Sequence, residues 1–102
     1  MIKVICTENH THFDALYFEC LDHAEYRNPA TGNNDVCVAT SALCSMLVRY
    51  VTAERLPVKC CEDGHVQIEI VCPGFRCAEV FRAAMMQFEA LAEEFPEHIK
   101  IY

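Results

Sequence analysis

The apolar residues of this chain alternate between two spacings, and this alternation restricts the fold more than any other feature. Four segments show the every-second-residue pattern that is typical of half-buried β-strands: residues 2–7, 13–21, 58–62 and 65–72. Two segments show helical spacing instead: residues 36–56 and 77–95. The predicted order is therefore ββαββα, and residues 98–102 could add a short final strand.

The connections between the strands favour local pairing. Asp63-Gly64 separates the third and fourth strands, and such a dipeptide is a strong two-residue hairpin signal. Residues 8–11 form a short predicted turn between the first two strands. Hairpins of this kind predict a mostly antiparallel sheet with two helices packed on one face, an α+β fold. The other face carries Tyr17 and Val71, and an apolar patch there would be a natural dimer surface.

Length and charge limit the classes of function. The 102 residues, 53% of them hydrophobic, predict one domain over residues 1–102 with a substantial core. We find no apolar stretch of signal-peptide length at the start and no segment close to the roughly 20 apolar residues of a membrane span, which predicts a soluble, cytoplasmic protein. A net charge of -7 with eight Lys and Arg disfavours nucleic acid and favours a basic protein or peptide as partner.

Eight cysteines without a secretory signal are predicted to be free thiols, most of them small buried hydrophobes. Zinc is disfavoured for Cys60 and Cys61, because neighbouring strand residues point to opposite faces and no Cys-x-x-Cys motif is present. His10 and His12 resemble a metal-binding pair, but a solvated turn explains them equally well. We therefore predict neither a metal nor a cofactor.

The junction between the second strand and the first helix carries the candidate chemistry. His23 follows the apolar run that ends at Leu21, and Cys37 lies in the first turn of the next apolar run. Residues 27–34 between them have turn-forming composition, with Gly32 free to take positive φ, and predict a loop that is mobile when the site is empty. Asn33, Asn34 and Asp35 are all good N-cap residues for the helix that follows.

A cysteine at a helix N-terminus lies near exposed N–H groups and the positive end of the helix dipole, which favour its thiolate form. A histidine across the loop could stabilise that thiolate and later protonate a leaving amine. His23 and Cys37 therefore form a candidate Cys-His pair. A hydrogen-bonded histidine at a strand end and a buried helical cysteine would give the same spacing, so both interpretations stay open at this point.

Two motifs resemble the ribosomal-processing cysteine protease family, Prp. Asp22-His23-Ala24 is similar to its Gly-His-Ala element, and the run from Asp35 through Cys37 to Leu43 is similar to the element that opens its first helix. The predicted element order and the ending Phe95-Pro96-Glu97-His98-Ile99 also resemble the family. In two places this chain departs from the pattern: Asp22 stands where the family has glycine, and Asn34 stands where it has aspartate.

The resemblance implies a homodimeric cysteine endopeptidase that removes the N-terminal extension of a large-subunit ribosomal protein of the L-twenty-seven type. It implies His23 and Cys37 as the catalytic dyad and Ser41, one helical turn beyond the cysteine, as a supporting residue for substrate or oxyanion binding. The alternative is a non-catalytic ribosome-assembly or peptide-binding module that recognises a basic protein tail without cutting it.

Overall fold

The computed structural model describes residues 1–10 and 14–102 and has the predicted α+β architecture. The predicted final strand is present, and the order is ββαββαβ. The elements are β1 (Ile2–His10), β2 (Asp14–Leu21), α1 (Asp35–Ala53), β3 (Cys60–Glu62), β4 (His65–Val71), α2 (Gly74–Glu94) and β5 (Ile99–Ile101).

The five strands form one sheet in the order β3-β4-β2-β1-β5. The β1–β2 pair and the β3–β4 pair are antiparallel, as predicted, and β2 also pairs antiparallel with β4. Asp63-Gly64 makes the β3–β4 turn, where Gly64 adopts a φ of +78° that favours glycine. β5 lies parallel to β1, so the sheet is mixed at one edge.

The core lies between the helices and one face of the sheet, which we call the inner face. Phe18 of β2 is fully buried there, and its ring centroid lies 5.8 Å from those of both Phe81 and Phe88 of α2. α1 contributes Val36, Leu47 and Val51 to the same cluster. Alternation places the inward side chains as the sequence predicts: Ile2, Val4, Leu16, Phe18, Cys20, Val66, Ile68 and Ile70 are all buried.

α1 is shorter and less enclosed than predicted. It ends at Ala53 rather than at Leu56, and it buries one stripe while Val38 and Met46 remain exposed. The helix is apolar around most of its girth but only partly buried, because α1 covers one face of a sheet and has no second layer above it. Among the described residues α1 is also the one helix long and apolar enough to cross a bilayer, contrary to the sequence analysis, although the core helix of a soluble protein meets the same criterion.

The strand boundaries differ from the prediction at two places. β1 continues through the predicted turn to His10, which pairs with Asp14, so only residues 11–13 separate the two strands. His12 of the His-x-His pair lies outside the described residues. Cys72 was expected to face inward but is exposed with a φ of +53°, because β4 already ends at Val71.

The second face of the sheet, which we call the outer face, is polar at its centre instead of apolar. The Tyr17 hydroxyl donates to Glu19 Oε1 at 2.9 Å, and Gln67 Nε2 donates to the same hydroxyl at 3.3 Å. Val71 is 62% exposed at the end of the neighbouring strand. An apolar dimer patch centred on Tyr17 is therefore not what the structure shows.

The position of Phe88 in the core gives the first prediction. Phe88→Ala should lower the free energy of unfolding by about 3–5 kcal/mol, because the buried ring leaves a cavity against Phe18. Met86 lies two residues away on the same helix but is 69% exposed, so Met86→Ala should change that free energy by less than about 0.5 kcal/mol. Urea unfolding of both variants measures the difference, and equal losses would contradict this description of the core.

Candidate active site

The three residues that the sequence singled out line one cavity of about 390 Å³. His23, Cys37 and Ser41 contribute to it together with residues of the β3–β4 hairpin, so the cavity lies between the start of α1 and the hairpin turn. Ser41 is exposed at this cavity, and Cys37 is half-buried. The fold thus brings to one place side chains that are up to 18 residues apart in the sequence.

Asn34 fixes the position of Cys37 at the helix N-terminus. Its Oδ1 accepts a hydrogen bond from the N–H of Cys37 at 3.1 Å, which makes Asn34 the N-cap among the three candidates. Its Nδ2 donates to the carbonyl of Ala24 at 2.7 Å. One amide side chain therefore joins the segment that carries His23 to the helix that carries Cys37.

The Cys37 thiol faces the backbone of Ala24. The N–H of Ala24 donates to Cys37 Sγ at 3.4 Å, and Sγ lies 3.6 Å from the Ala24 carbonyl oxygen. The sulfur therefore lies between a backbone donor and a backbone acceptor of the same residue at the start of α1. The sequence showed the capping residue but not this second contact, which depends on a three-dimensional approach of the loop.

His23 is held at the cavity by the hairpin turn. Its ring lies against the Cα of Gly64, where an added Cβ would be 2.6 Å from His23 Nε2. The same nitrogen is 3.9 Å from Asp63 Oδ1. Since the Asp63 side chain is 99% exposed, this ion pair contributes little to the position of the ring. The ring can take this position mainly because Gly64 has no side chain.

The described residues show no hydrogen bond between the His23 ring and Cys37 Sγ. The two side chains share a cavity, but the thiol contacts Ala24 while the ring contacts the hairpin turn. Catalytic hydrogen bonds are often long in ligand-free enzymes and shorten when substrate binds. The dyad implied by the family resemblance therefore stays a prediction.

At position 22, where this chain has aspartate and the family pattern has glycine, the backbone adopts a conformation that favours glycine. Asp22 has a φ of +72°, and its N–H donates to the carbonyl of Gly64 at 2.9 Å. Aspartate tolerates this left-handed conformation better than most residues. The Asp22 carboxylate lies 3.7 Å from Lys3 Nζ at the surface, so it is directed to Lys3, and the carboxylate next to His23 is that of Asp63.

The loop of residues 27–34 is organised by Asn28. Its Oδ1 accepts the N–H of Ala30 at 2.8 Å, and its Nδ2 donates to Asp35 Oδ2 at 2.7 Å. Gly32 has the positive φ that its position predicted, +74°. These contacts give the loop a defined shape in the empty site, and its mobility stays a prediction.

A second cysteine-histidine contact lies on the outer face, and the sequence analysis did not find it. Cys60 Sγ is 3.4 Å from His65 Nδ1, and His65 Nε2 is 2.8 Å from Glu19 Oε2. The Asp63-Gly64 hairpin could have revealed it, since the two-residue turn pairs Cys60 with Gln67 and places His65 diagonally beside it. Burial raises the pKa of the Cys60 thiol, and the negative charge of Glu62 adds to this effect.

The other cysteines are free thiols in differing surroundings. Burial, with a contribution from Glu8, raises the pKa of Cys6 to about 11. A contact with the Cys20 thiol, followed by burial, raises the pKa of Cys44, and burial raises that of Cys77. Cys77 is only 2% exposed, whereas Cys61 and Cys72 are exposed.

The residues described, 1–10 and 14–102, contain no group of three or more histidine, cysteine or acidic side chains arranged to hold a metal ion. Cys60 and Cys61 illustrate the reason, because the first pairs with Gln67 on the outer face and the second with Val66 on the inner face.

Comparison with known proteins identifies the fold. No protein-family model and no curated protein matches the sequence. Solved structures do match over the full length, which defines the fold as one found in a class of small processing proteases.

Two of the similar structures are of the essential ribosomal processing protease Prp from S. aureus. The complex with a substrate peptide has a TM-score of 0.77 at 20% identity and covers 100% of this chain and 98% of that one. The complex with a covalently linked product peptide has a TM-score of 0.77 at 19% identity, with 99% and 97% covered. A protein from Streptococcus mutans has a TM-score of 0.70 at 20% identity, with 99% and 91% covered. The resemblance seen in the sequence is thus confirmed at the level of the fold.

The contact between Gly64 and His23 gives the second prediction. Gly64→Ala should displace the His23 ring, because the new Cβ would lie 2.6 Å from Nε2. Gly32→Ala is the matched control: its φ of +74° is as unfavourable for alanine, but nothing lies within 4 Å of the new Cβ. Both variants should lose about 1 kcal/mol of folding free energy, and only Gly64→Ala should shift the NMR signals of the His23 ring. Unchanged His23 signals in Gly64→Ala would contradict the described geometry.

Proposed function

We propose that this protein is a cysteine endopeptidase of the Prp type. The observation that carries the proposal is that His23, Cys37 and Ser41 line a single cavity in a fold shared with protease structures that hold a substrate peptide and a covalently linked product peptide. Cys37 and His23 form the catalytic dyad of this proposal. No cofactor takes part in the reaction.

The proposed reaction proceeds in two steps. The Cys37 thiolate attacks the carbonyl carbon of the scissile peptide bond, forming a C–S bond and a tetrahedral intermediate. The intermediate collapses as the C–N bond breaks, and the His23 imidazolium gives its proton to the departing amine. A water molecule, deprotonated by His23, then hydrolyses the thioester and regenerates the thiolate.

The oxyanion of the intermediate requires donors near Cys37. The N–H of Cys37 already donates to Asn34 Oδ1, so its use would require that bond to be exchanged during the reaction. Ser41 lies one helical turn further and is exposed at the cavity, which makes its hydroxyl available to substrate or oxyanion. We therefore assign Ser41 a supporting role.

Charge supports a basic substrate. Asp22, Glu62 and Asp63 line the cavity and outnumber the one arginine there, Arg49, and the net charge of the chain is -7. Acidic groups around a binding site attract and retain a positively charged segment. The substrate we propose is the basic precursor of a large-subunit ribosomal protein of the L-twenty-seven type, from which the enzyme removes the N-terminal extension.

The setting of the reaction follows from this substrate. We infer a cytoplasmic enzyme that acts during ribosome maturation, and eight free thiols are consistent with a reducing compartment. The homodimer implied by the family resemblance is part of the proposal. The polar centre of the outer face argues for an interface placed elsewhere than around Tyr17.

The alternative function is a non-catalytic module that binds a basic ribosomal protein tail in the same cavity. The acidic cavity lining suits both functions. The helix N-terminus at Cys37 and the Ala24 N–H directed at its sulfur favour the endopeptidase, since a binding module needs neither.

The two cysteine-histidine contacts give the third prediction. When incubated with the ribosomal precursor, the Cys37→Ser variant should not cleave it, and His23→Ala should cleave it at a rate lower by about a hundredfold or more. The matched variant Cys60→Ser on the outer face, at a residue that does not line the cavity, should cut at close to the normal rate. Intact mass of the products measures cleavage. Cys37→Ser should still bind the precursor peptide, which separates lost chemistry from lost affinity.

Two outcomes of this experiment would contradict the proposal. If the wild-type protein leaves the mass of the precursor unchanged while binding it, the alternative binding module is correct for that partner. If Cys60→Ser abolishes cleavage in a folded protein, the nucleophile lies on the outer face.

The environment of the thiols gives the fourth prediction. Brief treatment of the folded protein with iodoacetamide at about pH 6 should label Cys37 first, because an ordinary thiol with a pKa of about 8.5 is almost wholly protonated there. Cys61 and Cys72 are the exposed competitors, and neither lies at a helix N-terminus with a backbone N–H directed at sulfur. Peptide mapping by mass spectrometry gives the order of labelling. Earlier labelling of Cys61 or Cys72 would exclude a selectively activated Cys37.

A further inference from the structure

The hydroxyl of Thr40 is a buried polar group without a partner among residues 1–10 and 14–102. Thr40 is 6% exposed and is the one polar residue in the core of the described chain. A buried hydroxyl without a hydrogen bond is unfavourable, and native proteins contain few such groups. A helical threonine could donate to the carbonyl one turn earlier, but Thr40 makes no such bond.

The location of Thr40 connects this unpaired hydroxyl with the candidate active site. Thr40 lies three residues after Cys37, which places the two side chains on neighbouring positions of one helix face. Both line the same cavity. Thr40 therefore lies at the inner end of the space that a bound substrate would occupy.

The neighbouring side chains in the cavity offer a substrate few hydrogen bonds at this depth. Cys20, Cys44, Val48 and Val66 are buried or half-buried around it, and thiols are weak donors and acceptors. Ser41 and Ser45, which also line the cavity, are exposed. Thr40 thus carries the hydroxyl at the buried end of the cavity, whereas Ser41 and Ser45 lie at its exposed opening.

The hydroxyl oxygen is itself shielded from solvent in the free protein, with less than 1 Å² accessible. Threonine in a helix divides between two χ1 rotamers, and rotation from one to the other moves the hydroxyl to a position that another substituent of Cβ held before. A bound group that accepts a hydrogen bond would favour the rotamer that presents the hydroxyl to the cavity. The unfavourable free energy of the unpaired hydroxyl would then be offset by the hydrogen bond that it forms with the bound group.

We propose that Thr40 is a substrate-binding residue whose hydroxyl forms a hydrogen bond with the substrate segment that enters the cavity. The matching substrate group is a side chain with an apolar stem and a hydrogen-bonding tip, because the surroundings are apolar and end at a single hydroxyl. This assignment deepens the proposed endopeptidase function and rests on it.

Thr40→Val tests the assignment, since valine has the shape of threonine without its hydroxyl. The variant should keep or raise the melting temperature, because an unpaired buried hydroxyl is removed, and should lower kcat/KM for the precursor about tenfold, mainly through KM. Thr40→Ser, which retains the hydroxyl, should restore most of the activity. Thr52→Val makes the same change at an exposed position near the end of α1 and should alter neither quantity.

A second measurement separates this inference from the proposed function. Affinity for a synthetic peptide spanning the precursor's N-terminal extension is measured in the Cys37→Ser background, with and without Thr40→Val. A tenfold weaker affinity supports the role of Thr40 even if the wild-type protein does not cleave the precursor, in which case the endopeptidase function alone fails. Equal affinity of the two proteins, equal kcat/KM of Thr40→Val and wild type, or a lower melting temperature without rescue by Thr40→Ser overturns the inference. A peptide that is neither bound nor cut overturns both proposals.

Discussion

The amide side chain of Asn34 is the interaction on which the candidate site depends. The loop segment at Ala24 and the start of α1 meet at Asn34. Its side chain donates a hydrogen bond to the loop segment and accepts one from the helix. Its acceptor caps the start of α1 through the N–H of Cys37, and its donor holds the carbonyl of Ala24. The Ala24 N–H reaches the Cys37 sulfur only because the same peptide segment is held in this way. An aspartate at position 34 would keep the cap but could not donate to Ala24 unless protonated.

The two cysteine-histidine contacts show why proximity is a poor guide to reactivity. On the outer face, Cys60 and His65 are within hydrogen-bonding distance, and Glu19 completes a three-residue chain. Yet burial and nearby carboxylates disfavour a thiolate there, as the raised pKa of Cys60 shows. Cys37 and His23 make no hydrogen bond with each other among the described residues, but Cys37 combines a helix N-terminus, a backbone N–H directed at its sulfur and a position at the cavity. Electrostatic surroundings and access distinguish the two sites better than distance does.

Much of the fold could be predicted because periodicity and turn chemistry agree along the chain. Gly64, Gly32 and the N-cap at Asn34 all took the roles that their residue types favour. Sequence reasoning failed where the outcome depends on contacts between distant segments. The buried stripe of α1 runs through Cys44 and Val51 rather than through the equally apolar Leu43 and Tyr50, since the orientation of a helix that is apolar around most of its girth is set by the sheet beneath it. The contact of Gly64 with His23 and the unpaired hydroxyl of Thr40 carry no signal in the sequence at all.

The short edge strand β3 has a consequence for how the cavity can open. β3 has three residues and pairs with β4 alone, so few backbone hydrogen bonds hold the wall of the cavity that lies opposite α1. Segments at a sheet edge with few ladder bonds and little buried apolar surface separate from the rest at a small fraction of the global unfolding free energy. Widening of the cavity would therefore be a local separation of β3 from β4, while β4 keeps its pairing with β2 and Phe18, Phe81 and Phe88 keep their packing. The fold thus places a short, singly paired edge strand at the cavity of the candidate nucleophile, while its aromatic core is built from other elements.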